Sequence, residues 1–463
     1  MAHRKIVLIG AGSASFTVGL VADLLISNIA DEWTVGLVDI NEEALGVARG
    51  LVERMVEKKQ APVTVEASTD RCDVLADADI VVTTIAVGGR PGWEADVVIP
   101  RQHGIFQPVG DTIGAGGISR ALRQIPPMID IAWDVAELCP DAFFFNYANP
   151  MACLTRAVNK ATPVDLVGLC HGVQGTLRHL CNFIDVPYAE VNSLYCGINH
   201  LTFITHFTRD GESLWPLVDE KLEGLRFSQP GGAALQPAQG GAVLQPAQGG
   251  GPAEARPLPD NPFSWELYRT HGAFPAVLDR HITEFYSPRF ASGAYYGQQL
   301  GVDTMDILET IHSGDERYQR MKDQAEGREP LEDSLFERVL GEHEALIPIL
   351  ESVFADRQEL FPMNVPNCTV PEVPPDFVLE MPTCATRAGC MPIAMPPLRP
   401  ALAATITRAL YGVELTVEAA LTGDRQTLIE SLLYDGCVLE LAQAEALADD
   451  LLAAHKEHLP QFE

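Results

Sequence analysis

The apolar run Ile6-Val7-Leu8-Ile9 ends abruptly in Gly10-Ala11-Gly12-Ser13-Ala14-Ser15, and a helical pattern starts inside that turn. A strand handed to a helix through closely spaced glycines leaves few folds open. The first glycine permits the tight turn, and the second lets the backbone approach a pyrophosphate held at the helix N-terminus. The third position is Ser15, so the usual glycine fingerprint is incomplete and the turn needs support from elsewhere. Asp39 supplies it. It ends the second strand-like run, Gly36-Leu37-Val38-Asp39, where a carboxylate accepts from a ribose 2′-hydroxyl and repels a 2′-phosphate. NAD is therefore the expected cofactor, contacted by Gly10, Gly12, Ser13, Phe16, Asp39 and Thr84.

Downstream, short β-branched runs alternate with helical patterns. Strands are predicted at Ile6–Ile9, Thr34–Val38, Val63–Glu66, Ile80–Ile85, Ala142–Phe145 and Leu166–Leu169. Helices are predicted from about Ser15 to Ile29 and from Glu42 to Lys58. This alternation is a βαβ series, hence an α/β fold with a Rossmann-type parallel sheet. After about Asn199 the rhythm is lost, which suggests an NAD-binding domain over 1–197 and an α+β catalytic domain over 198–463. Within the second part, 229–252 holds the heptamer LQPAQGG twice. Its Gly, Ala, Gln and Pro bury too little apolar surface to offset ordering entropy, so a disordered surface insertion is expected.

Composition narrows the partners. The net charge of −31 argues against nucleic acid and anionic membranes, which need clustered Lys and Arg, yet leaves room for an acidic substrate in a pocket holding a few arginines. No run approaches a membrane span, no signal peptide is read, and ten cysteines without CxxC pairs indicate neither zinc ribbon nor disulfide framework. A cytoplasmic protein is expected.

Four further clusters carry chemistry. Asn146 and Asn149, in Asn146-Tyr147-Ala148-Asn149-Pro150, follow a strand at the sheet edge where ligands collect. Their amides either meet sugar hydroxyls or staple an Asn-Pro turn. Cys170, in Cys170-His171-Gly172, and His200, in Gly197-Ile198-Asn199-His200, make a plausible incomplete shell for a divalent transition metal. Buried structural residues of these types are commoner. Asp279-Arg280-His281, with Glu284 three residues later, reads as a solvated face or helix cap, or equally as a base (Asp279) with a hydroxyl clamp (Arg280).

Together these segments resemble glycoside hydrolase family 4, the NAD- and Mn-dependent glycosidases that share a fold with lactate and malate dehydrogenases. The resemblance rests on GAGSASF (10–16), VGDTIGAGGISRALRQIP (109–126), NYANPMA (146–152), LCHGVQGT (169–176), GINHLTF (197–203), DRHITEF (279–285) and ELTVEAAL (414–421), in order along nearly the whole chain. The 229–252 insertion is its main departure.

The resemblance implies Cys170 and His200 as ligands of Mn²⁺ or another divalent transition metal. It implies substrate contacts from Asn149, Asn146, Arg123 and Arg280, and Asp279 as the base. His171 follows the metal cysteine where phospho-glycosidases carry Asn or Asp, which resembles the branches acting on unphosphorylated α-glycosides, and it is the candidate to assist proton transfer. The GDTIGAGGISRALR stretch is similar to the α-galacturonidase branch, although that branch tends to carry CHE where this chain has CHG. An α-hexuronidase or α-glucosidase is implied, with α-galactosidase as the alternative within the family. Such enzymes stand outside the two-carboxylate glycosidases. They oxidise C3, remove the C2 proton, eliminate the glycosidic oxygen, add water at C1 and return the hydride, so no NADH accumulates. A metal-independent 2-hydroxy-acid dehydrogenase is the competing reading. The expected partners are a small α-glycoside or oligosaccharide and further copies of the chain in a homodimer or homotetramer.

Overall fold

A computed structural model describes residues 2–223, 259–337 and 345–463, and the repeat at 229–252 lies outside them. Six strands form the predicted parallel sheet: β1 (His3–Ile9), β2 (Glu32–Val38), β3 (Val63–Ser68), β4 (Ile80–Thr83), β5 (Phe143–Asn146) and β6 (Leu166–Gly168). Their order is β3-β2-β1-β4-β5-β6, with Ile6 opposite both Val35 and Ile80. The chain moves outward from β1 through β2 to β3, then returns to place β4 on the other side of β1. That reversal is the switch point where open α/β sheets bind ligands. All four residues of β4 are buried, as expected of a parallel strand covered on both faces.

The helices between these strands are α1 (Thr17–Leu25), α2 (Glu42–Lys59), α3 (Cys72–Leu75), α4 (Gly89–Gln102), α5 (Gly114–Leu138) and α6 (Met151–Ala161). α2 shows why its boundaries were readable. The Asn41 side chain accepts from Ala44 N–H, Glu42 and Glu43 begin the helix, and Lys58 and Lys59 end it, which complements the macrodipole at both ends.

The expected division at 197/198 lies within a continuous sheet. It falls inside β7 (Asn192–Ile198), which makes a hairpin with β8 (Leu201–Arg209). Beyond β9 (Glu212–Ser213), β10 (Phe274–Pro275) and the small pair β11 (Ala294–Tyr295) and β12 (Gln298–Gln299) come β13 (Glu359–Pro366), β14 (Val378–Thr386) and β15 (Gly389–Pro392). β13 pairs antiparallel with β6, and the sheet runs on through β14, β7, β8 and β10. One sheet and one main core therefore cross the supposed boundary. The change of rhythm in the sequence marks a change from parallel to antiparallel pairing, not a break between cores. Among the described residues no helix is long and apolar enough to cross a membrane.

Helix packing near the sheet edge rests on a buried ion pair. Arg123 on α5 donates both Nη groups to Asp96 on α4 at 2.7 Å, and Ser119 Oγ donates to the same carboxylate. His455, just after the last long helix, places Nε2 3.1 Å from Asp96 Oδ1. Arg123 is 1% exposed, so its expected role as a substrate contact is corrected: its charge is spent joining two helices. Burial opposes the charge on Asp96, but the Arg123 hydrogen bonds hold its pKa below the usual carboxylate value. Arg123→Ala leaves that carboxylate buried without its main partner and should lower unfolding free energy by about 3–5 kcal/mol. Urea denaturation should show a lower midpoint; an unchanged midpoint would remove this pair from the stability argument.

Candidate functional site

The Gly-rich turn is built as the sequence suggests, with one change of reason. Gly10 sits at φ +93°, and a Cβ there would lie 2.8 Å from the Thr84 backbone. At Gly12 a Cβ would fall 2.8 Å from Asp39 Oδ2 and 2.6 Å from Ala44 Cβ. The second glycine therefore makes room first for Asp39, whose Oδ2 accepts from Gly12 N–H at 2.8 Å while Oδ1 accepts from Asn41 N–H. Thr84 Oγ1 donates to Gly10 O, and Ser13 Oγ accepts from Phe16 N–H, so both hydroxyls shape the turn. Phe16 stands at the N-cap of α1 and offers no side-chain acceptor, and Thr17 N–H donates to Ser13 O, so an anion would meet the N–H groups beyond it. These features fit a dinucleotide.

Five segments converge on a second site. Asn149 comes from the loop after β5, and Cys170 from the end of β6, just before α7 (Gly172–Ile184). His200 lies in the β7–β8 hairpin, and Asp111 in the loop before α5. After α8 (Trp215–Leu222) and α9 (Pro262–His271), the one-turn helix α10 (Asp279–Ile282) brings His281. Ligand atoms of Asp111, His200 and His281 all lie within 4.8 Å of one another, and Cys170 Sγ is 3.6 Å from His200 Nε2. Gly172 N–H at the start of α7 donates to that sulfur at 3.3 Å, and a helix N-terminus favours negative charge there. His200 adopts φ +65°, a costly conformation for a non-glycine residue of the kind that collects at functional sites.

Hydrogen bonds fix the imidazole's orientation. Thr112 Oγ1 donates its single proton to Asp111 Oδ1 at 2.8 Å. At its 2.7 Å contact with His200 Nδ1 it must then accept, so Nδ1 carries the hydrogen and the Nε2 lone pair points toward the sulfur. Asn149 Nδ2 donates to Asp111 Oδ2 at 2.9 Å, and Arg120 Nε donates to Asn149 O at 3.1 Å. Burial keeps His200 neutral and pushes the His281 pKa down to about 4. Burial also opposes the charge on Asp111, whose pKa nevertheless lies below the usual value because any positive charge on His281, His200 or Arg120 favours the carboxylate. Asn149 Oδ1 and His281 Nδ1 are buried and have no protein partner, as atoms awaiting a ligand would be. A sulfur, an imidazole and a carboxylate suit a divalent transition metal, with the second imidazole, His281, alongside.

Several expectations are redistributed. Cys170, His200 and Asn149 are brought together, and half-buried His171 lies near enough to raise the cost of protonating His200 and His281. Asn146 is not free for substrate: its amide accepts from Thr83 and Ala148 N–H and donates to Ala148 O, stapling the turn. Arg280 donates to Thr310. Asp279 is the largest correction. Its carboxylate is fully enclosed and accepts from Phe263 N–H, Ser264 N–H, Ser264 Oγ and Tyr295 Oη, which ties down the start of α9. It makes no hydrogen bond to the cluster; His281 faces the cluster instead. Asp111, Thr112, Arg120 and His281 were not singled out from sequence, although all lie inside the segments that carry the family resemblance.

A dinucleotide-binding α/β sheet with a sulfur, nitrogen and oxygen donor cluster fed from beyond the ends of β5 and β6 defines the class. The profile of family 4 glycosyl hydrolases matches residues 5–186, and that of the family's C-terminal domain matches 195–438. The chain belongs to this family. It is 31% identical to an α-galactosidase of Rhizobium meliloti over all of this chain and 90% of the relative. An α-glucosidase of Erwinia rhapontici is 29% identical over 98% of each chain. An α-galacturonidase of Bacillus subtilis is 29% identical over 97% of this chain and 96% of the other. A 6-phospho-α-glucosidase from gut microorganisms, solved with NAD and Mn²⁺, shares the fold, with a TM-score of 0.80 at 18% identity and full coverage of both chains.

Asp279→Asn should reveal a structural role. With one acceptor replaced by an amide in a fully buried site, stability should fall by about 1–3 kcal/mol. Calorimetry should show a lower Tm, with metal affinity unchanged; weaker metal binding without loss of stability would return Asp279 to the site.

Proposed function

We propose that this family 4 glycosyl hydrolase cleaves unphosphorylated α-glycosides with NAD and Mn²⁺, by transient oxidation at C3, loss of the C2 proton, elimination, water addition and re-reduction. The observation that carries the reading is the Cys170–His200–Asp111–His281 cluster in a chain that also holds an intact dinucleotide turn. The solved relative's NAD and Mn²⁺, and relatives named for unphosphorylated α-sugars, support it.

When bound, NAD supplies reversible hydride transfer at C3, and the metal supplies Lewis acidity at the sugar oxygens. Cys170, His200 and Asp111 would hold the metal, and Gly10, Gly12 and Asp39 the dinucleotide. The chain's own part in the chemistry is proton handling and orientation. His281, neutral and with Nδ1 unpartnered, takes the C2 proton in place of Asp279. Asn149 Oδ1 accepts from a sugar hydroxyl. His171 stands close enough to serve the leaving oxygen.

Among sugars an α-hexuronide of the galacturonide type is the first choice. Arg120 brings a guanidinium near Asp111 and Asn149; it lies over the Trp93 ring, and among the described residues only its Nε donates a hydrogen bond, which suits a substrate carboxylate. An α-glucoside or α-galactoside is second, on the two relatives so named. No disulfide is formed among the described residues, which suits a reducing compartment such as the cytoplasm.

The test uses p-nitrophenyl α-hexuronides and neutral α-glycosides with NAD and Mn²⁺ in D₂O. Turnover should need both additions, stop with EDTA, accumulate no NADH and place deuterium at C2 of the product. Product without deuterium, or full turnover in metal-free and NAD-free buffer, would sink the mechanism. His281→Gln should reduce turnover by on the order of 10²-fold while NAD still binds. Cys170→Ser should lose metal-dependent turnover with the fold intact; wild-type metal affinity in that variant would refute the ligand assignment.

A further inference from the structure

Glu284 has no part in the chemistry described so far, yet its placement is unusual. It is 4% exposed, and its Oε1 accepts from the backbone N–H groups of both Val109 and Gly110 at 2.8 Å. Asp111 is the next residue along that loop. Glu284 itself lies three residues beyond His281, one helical turn further on. A single carboxyl thus joins the two segments that deliver Asp111 and His281, which no other hydrogen bond among the described residues does.

The loop it grips is held elsewhere too. Trp93 Nε1 donates to Val109 O at 2.7 Å, and the Gln107 side chain spans from Ile113 O to Gly116 N–H. Those contacts fix the loop against α4 and α5 only. Among the described residues Glu284 alone hydrogen-bonds it to the segment that carries His281. Burial first, then the charge of Asp111, push the Glu284 pKa up to about 8. A neutral acid adds no second negative charge beside Asp111, and its proton belongs on Oε2, because Oε1 already accepts twice.

We propose that Glu284 is a positioning residue, setting the separation of Asp111 from His281 by gripping the 109–110 backbone. The proposal rests on the metal reading of the cluster for its functional consequence, but not for the grip itself. Glutamine preserves the grip, since its Oε1 can accept the same two N–H groups and its amide replaces the protonated Oε2.

The experiment compares Glu284→Gln with Glu284→Ala in the full chain, using Mn²⁺ titration and hydrogen exchange of the peptide covering 105–112. Glu284→Ala should weaken Mn²⁺ binding by on the order of 10–100-fold, the usual scale for losing an outer-shell partner. The same variant should lose exchange protection at Val109 and Gly110, with NAD affinity unchanged. Glu284→Gln should keep Mn²⁺ affinity within about 3-fold of wild type and retain the protection. If Glu284→Ala does not fold, Glu284→Asp, one methylene too short to span the gap, carries the same comparison. The proposal is overturned if the shortened variants keep protection and Mn²⁺ affinity, or if Glu284→Gln fails as badly as Glu284→Ala. A wild-type chain that binds no Mn²⁺ would refute the metal reading, and the exchange data would still decide the grip.

Discussion

A hydroxyl with one proton sets the chemistry of this site. Thr112 stands between Asp111, which when ionised can only accept, and the Nδ1 of His200, so its hydrogen goes to the acid and the imidazole must donate. That choice leaves the Nε2 lone pair directed at Cys170, and a neutral histidine beside a sulfur becomes a pair of donors. The arrangement requires the Asp111 loop to sit tightly on α5. At Gly117 a Cβ would lie 2.5 Å from the Thr112 backbone, so a larger residue there would push the hydroxyl away. α5 is in turn held by the Asp96–Arg123 pair, which links a buried electrostatic contact in the helical layer to the tautomer of a site histidine.

The other side of His200 is held by the antiparallel half of the sheet. Glu380 on β14 lies opposite Gly197, accepts from Thr202 Oγ1 and Asn199 Nδ2 on the hairpin, and accepts from Asn364 on β13. Burial raises its pKa, and the three side chains share its oxygens. The strained backbone of His200 is thus anchored by its two neighbours in the turn region, in keeping with strain persisting only where surroundings over-determine it. The continuous sheet serves the site directly: β6 carries Cys170, β7 and β8 carry His200, and β13 and β14 lie between them.

What the sequence made legible follows from what is local. Strands such as Ile80–Thr83 are continuous apolar runs because both faces are covered, and the glycine turn is readable because a tight strand-to-helix handover admits few residues. Cys170 and His200 stood out by residue type. The errors have a common physical cause. Asp279 and His281 are two residues apart on one helical turn, so their side chains leave the axis about 200° apart, and one can face α9 only if the other faces away. Arg120 and Arg123 are one turn apart on α5, and which of them meets Asp96 depends on α4, not on their own neighbours. Asp111 had no local signal, because its partners come from residues 149, 200 and 281. The change of strand period after about Asn199 marks where antiparallel strands join the same sheet.

The joining of β6 to β13 also dictates an order of events during synthesis. Residues 166–168 leave the ribosome long before 359–366, and at ~5–20 residues per second the delay is roughly 10–40 s. For that interval the parallel half has no neighbour for the outer side of β6, an open strand edge of the kind that invites pairing with other chains. The strand exposes only three residues, Leu166–Gly168, and α7 follows at once. Such a short edge offers a poor template to a foreign strand. The brevity of β6 therefore serves the nascent chain, and the finished sheet inherits a narrow seam, crossed at Asn364 and Gly168, on which both halves of the metal-donor set depend.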